Sequence, residues 1–116
     1  MLKIYGLKNC STCKKATAWL DEQGISYTFI DYRDQPIDSG FLSVWATQLG
    51  GWPSLVNRAS PTWRNLPDER KNPETEQDWL QLIADFPTLV RRPVAVSHQH
   101  VSVGFKPALF TQYFQN

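Results

Sequence analysis

The sequence predicts an α/β fold on a four-stranded mixed sheet, and three observations carry that prediction. Leu2-Lys3-Ile4-Tyr5, a helix-length segment from Ser11 and the alternating Ile25-Ser26-Tyr27-Thr28-Phe29-Ile30-Asp31 follow one another as strand, helix and strand. Val94-Ala95-Val96 and Val101-Ser102-Val103 flank the short polar Ser97-His98-Gln99-His100, which reads as a hairpin, and a helical pattern follows it. Between these two groups lie only helical patterns and loops. The first group calls for parallel pairing with a right-handed crossover and the second is antiparallel, so one sheet holding both is mixed.

Each element has its own warrant. Gly6-Leu7-Lys8-Asn9 breaks the first strand. Cys13, Ala16 and Leu20 then recur at helical spacing and Gly24 stands as a stop signal, which predicts a helix over about 11–23. The second strand is expected over 25–31. Phe41, Val44, Trp45, Gln48 and Leu49 follow Pro36-Ile37-Asp38-Ser39 at amphipathic helical spacing, and Gly50-Gly51 ends the pattern. Residues 52–72 hold Pro53, Pro61 and Pro67 among short apolar groups and read as helical turns and loops. Pro73-Glu74-Thr75-Glu76 opens a further helix over about 74–85, its acids set against the macrodipole, with Trp79, Leu82, Ile83 and Phe86 as the buried stripe before Pro87. Pro107, Leu109, Phe110, Tyr113 and Phe114 mark the last amphipathic helix. The order is thus βαβ, helices, ββα: a thioredoxin-like, glutaredoxin-type pattern in a single domain over 1–116, with a helical insertion at about 37–86.

Composition narrows the function. A chain of 116 residues, 41% hydrophobic and 20% charged, has room for one ordinary core and is not of disordered composition. Twelve basic against eleven acidic residues give a net charge of +1, without the footprint of a nucleic-acid or membrane-surface binder. No apolar run reaches the roughly 18 to 20 residues of a membrane helix, and the N-terminus lacks the apolar region of a secretory signal, so a cytoplasmic protein is expected.

The two cysteines, Cys10 and Cys13, are spaced C-x-x-C, too close for a loop-stapling role, and in a cytosolic chain they suggest half a zinc site, a redox dithiol or coincidence. Zinc is disfavoured because the only other soft ligands, His98 and His100, have H-x-H spacing; no metal is expected. Cys10 falls just before a helix opening, where unpaired N–H groups and the macrodipole favour thiolate, and Lys8, Lys14 and Lys15 add positive charge. It is the candidate nucleophile. Cys13, a turn further in, is a resolving thiol or a bystander; the bland alternative makes both cysteines small core residues. Pro93 before the third strand is placed where a thioredoxin fold sets a cis peptide facing the cysteine, which would carry Arg92 to the site. The alternative there is a surface arginine beside a trans proline that starts an edge strand. Lys106, at the opening of the last helix, is a cation where the dipole disfavours one, and so a candidate to face an anion.

Tyr5-Gly6-Leu7-Lys8-Asn9-Cys10-Ser11-Thr12-Cys13-Lys14-Lys15-Ala16, Thr62-Trp63-Arg64-Asn65-Leu66, Leu89-Val90-Arg91-Arg92-Pro93 and Val103-Gly104-Phe105 resemble, in order along the chain, the arsenate reductase (ArsC)/Spx superfamily and especially its YffB-type branch. In the arsenate reductases a cysteine matching Cys10 attacks arsenic, glutathione displaces oxygen, and three arginines hold the oxyanion. The resemblance places one arginine at Arg92 and another near Arg58. The third falls on Lys106, which keeps the charge without the planar fork. Cys13 stands where those enzymes carry Ser. Spx-type regulators share the C-x-x-C, use it as a redox switch and bind the C-terminal domain of the α chain of RNA polymerase. Gly51 falls at a glycine tied to that binding, although a Gly-Gly helix stop explains it without a partner. The resemblance therefore implies a thiol reductase with no bound cofactor. Glutathione is its expected co-substrate, glutaredoxin a candidate partner, and a monomer without nucleic-acid or membrane contact is the expected state. Arsenate reduction is expected to be weak or absent, and the Spx-type regulator is the alternative.

Overall fold

The computed structural model describes residues 2–115. Its elements are β1 (Leu2–Gly6), α1 (Ser11–Glu22), β2 (Tyr27–Asp31), α2 (Ser39–Leu49), α3 (Trp52–Leu55), α4 (Pro61–Arg64), α5 (Glu76–Asp85), β3 (Val94–Val96), β4 (Val101–Val103) and α6 (Pro107–Phe114), with single 3-10 turns at Asp68–Arg70 and Pro87–Leu89. The chain divides into two compact units: residues up to Gln35 together with those from Arg92 onward, and Pro36–Arg91 between them.

The first unit contains the sheet, in the order β2-β1-β3-β4. β1 pairs with β2 in parallel, Gly6 opposite Asp31, and β3 is antiparallel to both β1 and β4. The mixed βαβ and ββα sheet is as expected from the sequence. Ile4, Ala16, Leu20, Ala95 and Phe110 are fully buried, with Trp19, Phe105 and Phe114 packed around them. The spacing of Ala16 and Leu20 on α1 points one apolar stripe onto the sheet, and Phe110 fixes α6 to the same cluster through edge-on contacts with Trp19, Phe105 and Phe114.

β2 starts two residues later than the alternation suggested. After α1, Gly24 turns left-handed (φ 69°) and the Ile25 N–H donates back to the Leu20 carbonyl at 3.0 Å, so Ile25 completes the helix end instead of joining the strand.

The second unit is helical, and its loops follow capping rules. Asp38 caps α2, and Gly50 ends it at φ 95°. The expected stripe on α2 is corrected: Leu42, Trp45 and Ala46 are buried, whereas Phe41 and Val44 are exposed at 50% and 52%. Apolar residues on both sides of Trp45 made two overlapping helical stripes, and periodicity alone could not choose between them. α5 starts at Glu76, two residues later than expected, because Thr75 and Asp78 form a reciprocal capping box. Phe86 is only half-buried, since it lies past the end of α5, with the Arg70 guanidinium 5.6 Å over its ring. Trp52, Trp79 and Trp63 stack in succession at 6.2 and 6.1 Å. Val56 and Val90 form an antiparallel bridge flanked by bonds from Asn57 to Leu89 and from Arg91 to Leu55.

Leu20, with no exposed surface, anchors α1 to the sheet. Leu20→Ala should destabilise the chain by about 2–5 kcal/mol, read as a lowered denaturation midpoint in urea.

Candidate active site

The parallel pairing of β1 and β2 ends both strands at one edge, and the site is built from the residues that follow them. Leu7, Lys8 and Asn9 turn the chain, the Cys10 N–H closing on the Leu7 carbonyl at 3.2 Å, and Cys10 becomes the N-cap of α1 in extended geometry (φ −88°, ψ 122°). From the other strand, the Asp31 carboxylate accepts from the Lys8 N–H at 3.0 Å and from the Arg33 N–H at 2.9 Å. These bonds hold Asp31 below the usual carboxylate range. On the surface Lys8 pairs with Asp34 at 2.8 Å.

The two sulfurs differ in kind. Burial pushes the Cys10 thiol up, but the first-turn amides of Cys13 and Thr12, the Cys13 thiol and the Arg92 guanidinium together outweigh it, and its pKa falls below that of an ordinary cysteine. Cys13 is pushed up to about 11, chiefly by burial, with the neighbouring Cys10 raising it further. Only 2% exposed, Cys13 rests against Gly6, where a Cβ would come within 2.5 Å of its Sγ. Both cysteines are free thiols. The geometry thus sets a lowered sulfur at the helix start with a protonated neighbour donating to it.

Arg92 hydrogen-bonds this sulfur; the Arg92–Pro93 peptide bond is cis, and Pro93 is fully buried just before β3. The structure thus favours the cis reading over a trans proline on an edge strand. The Tyr32 phenol, 2% exposed, takes a hydrogen bond from the Arg92 guanidinium, so a buried side chain following β2 holds the arginine that faces Cys10. Burial raises the Tyr32 pKa despite that arginine, keeping the phenol neutral.

Leu7, Asn9, Cys10, Ser11, Thr12, Arg33 and Arg92 line an open cleft of about 360 Å³. Lys106 is not among these lining residues; it is exposed at the N-cap of α6. Arg58 is an exposed residue of the second unit, on the loop after α3. Sequence reasoning passed over Asp31, Tyr32 and Arg33. None of them belongs to a motif; their place follows from the parallel register that sets Gly6 opposite Asp31, which the sequence does not spell out. Among the described residues no group of three His, Cys, Asp or Glu side chains is placed to hold a metal.

A model of the ArsC family matches residues 5–113. The chain belongs to the ArsC family. Its relatives include an uncharacterized protein of Haemophilus influenzae, 41% identical over 105 residues that span 90% of this chain and 91% of that one. The solved structure of a YFFB protein has 35% identity and a TM-score of 0.91, covering 98% of this chain and 99% of its own, which makes the fold the thioredoxin-like fold of ArsC and YffB proteins. The global transcriptional regulator Spx 1 of Lactococcus lactis subsp. lactis is 27% identical over 106 residues, 90% of this ArsC-family chain and 82% of the regulator.

Alkylation with iodoacetamide near pH 7 should modify Cys10 and spare Cys13, with a rate midpoint below the roughly 8.5 of a free thiol. Arg92→Ala and Tyr32→Phe should each move that midpoint upward. Because folding lowers the Cys10 pKa, its contribution to stability is fully present above the unfolded value and is lost as pH falls through the folded one. The stability gap between wild type and Cys10→Ser, followed by denaturant melts, should therefore shift in favour of wild type as pH rises toward the ordinary thiol value.

Proposed function

We propose that this ArsC-family chain is a thiol–disulfide oxidoreductase that works through Cys10 and draws its electrons from glutathione. The observation that supports the reading most directly is the asymmetry of the two sulfurs: Cys10 is lowered and lines an open cleft, while Cys13 is buried and raised to about 11. The Cys10 thiolate attacks a substrate disulfide, forming a mixed disulfide and expelling the partner sulfur as thiolate. A glutathione thiolate then attacks that mixed disulfide, or its exchanged glutathione form, and restores Cys10 while the electron pair leaves on sulfur. An external thiol suits the second step because burial, the chief cause of the raised Cys13 pKa, keeps that thiol protonated and away from the cleft. Arg92 holds the Cys10 thiolate ready for attack and for departure. The carboxylates of glutathione suit a cleft that carries guanidinium groups and no acidic side chain among its lining residues. Glutaredoxin, working with the same thiol, is a fitting partner in the cytoplasm.

A second reading follows from the C-x-x-C shared with Spx-type regulators and from the similarity to Spx 1: a redox switch that binds the C-terminal domain of the RNA polymerase α chain. The two differ in what oxidised glutathione leaves behind. Mass spectrometry should find one glutathione on Cys10 in wild type and in Cys13→Ser, and none in Cys10→Ser. Cys10→Ser should abolish disulfide reduction, and Cys13→Ser should only weaken it. An internal Cys10–Cys13 disulfide without adduct, together with micromolar binding to the polymerase domain that changes with oxidation, would replace the enzyme by the regulator.

Arsenate reduction should be weak or absent in a glutathione- and glutaredoxin-coupled assay. Lys106 is a point charge where the matching enzymes carry an arginine fork, and it is not among the residues lining the cleft. Equal activity of wild type and Lys106→Arg on arsenate would remove this substitution as the cause.

A further inference from the structure

Three consecutive residues at the end of β2 and just beyond it do three different things. Asp31 fixes the backbone by accepting from Lys8 and Arg33, Tyr32 turns inward to hold Arg92, and Arg33 turns outward into the lining of the cleft. The bond from the Arg33 N–H to Asp31 and that from the Lys8 N–H to the same carboxylate set both walls of the cleft from one anchor. The place of Arg33 in the same cleft as Cys10 is therefore a property of the fold.

The two arginines of the cleft are not equivalent. Arg92 is half-buried and engaged with Tyr32 and Cys10. Arg33 is exposed and makes no side-chain ion pair among the described residues. Asp34, the acid next to it in sequence, is taken up by Lys8 at 2.8 Å. Arg33 does not figure among the groups that shift the Cys10 thiol. What remains is a guanidinium at an open cleft of about 360 Å³, within the size range of small-ligand sites, whose lining includes a reactive thiol and lacks any carboxylate. A guanidinium in such a place matches a carboxylate by paired, charge-assisted hydrogen bonds.

We infer that Arg33 is the specificity residue of the cleft: it takes a carboxylate of a small anionic, peptide-like disulfide and so orients that disulfide for attack by Cys10. The inference rests on the oxidoreductase reading and deepens it. In the step concerned, the Cys10 thiolate forms a bond to one sulfur of the bound disulfide, the disulfide bond breaks, and its electron pair leaves on the second sulfur as a thiolate. The disulfide is the oxidant, and Arg33 exchanges no proton or electron. A neutral or cationic disulfide can undergo the same exchange but gains nothing from Arg33.

The test measures second-order rates of Cys10 modification in the full chain with three probes: oxidised glutathione (anionic carboxylates), hydroxyethyl disulfide (neutral) and cystamine (cationic). In Arg33→Ala the ratio of the glutathione rate to the hydroxyethyl disulfide rate should fall about 5- to 10-fold, and the cystamine ratio should rise. Arg33→Lys should recover part of the loss, because charge returns without the fork. The preference for oxidised glutathione in wild type should shrink as salt is raised, and the Cys10 alkylation midpoint should stay in place in Arg33→Ala. A loss in Arg33→Ala that is equal for all three probes assigns Arg33 to the shape of the cleft and overturns the inference, as does no change with any probe. Wild-type protein that reacts with none of the three overturns the oxidoreductase reading itself and the specificity role with it, so the two failures are distinct.

Discussion

One carboxylate ties the site together. Asp31 stands at the end of β2 and accepts from two backbone N–H groups that belong to different segments, one leading into Cys10 and one carrying Arg33. The turn that leads into α1 and the segment that carries Arg33 are thereby tied to one group, alongside the Tyr32 N–H bond to the Gly6 carbonyl at 3.1 Å. The carboxylate residue is only 9% exposed, and its charge is compensated chiefly by N–H donors and not by a buried cation. The Arg92 guanidinium is engaged instead with Tyr32 and Cys10.

The asymmetry of the cysteines comes from geometry within a single helical turn. The N-cap position offers a sulfur the amides of the first turn, whereas the position three residues on faces the sheet. One spacing therefore yields an accessible acid and a buried one. The buried thiol donates to the accessible thiolate, which lowers the pKa of the first cysteine and raises that of the second in the same interaction. The pair therefore presents one lowered sulfur to the cleft and keeps the other protonated against the sheet.

Much of the first unit was legible in the sequence because its signals are local and strong. Period-two alternation, the Gly24 stop and the Ser97-His98-Gln99-His100 turn define the strands, and the C-x-x-C at a strand-to-helix junction marks the sulfur. Arg92 was legible through Pro93. Arg33 and Tyr32 were harder to see, since neither belongs to a motif and each gains its place only from the parallel register with β1. Lys106 was selected by its position at a helix opening, a one-dimensional criterion that gives no direction to a long side chain. In the second unit, α2 has apolar residues on more of its circumference than burial uses, so the pattern named Phe41 and Val44 where packing took Leu42 and Ala46.

The absent side chain of Gly6 has a consequence for how the site can vary. The space a methyl group would fill at position 6 is already occupied by the Cys13 sulfur, with Phe29 closing another side. Positions 6 and 13 thus share one volume, and their admissible residues are linked. Glycine permits a sulfur at position 13, whereas a bulkier residue at position 6 would call for a smaller or differently turned side chain across from it. The second cysteine is consequently a feature of the strand end as much as of the helix, since the room for its sulfur depends on a residue that has no side chain of its own.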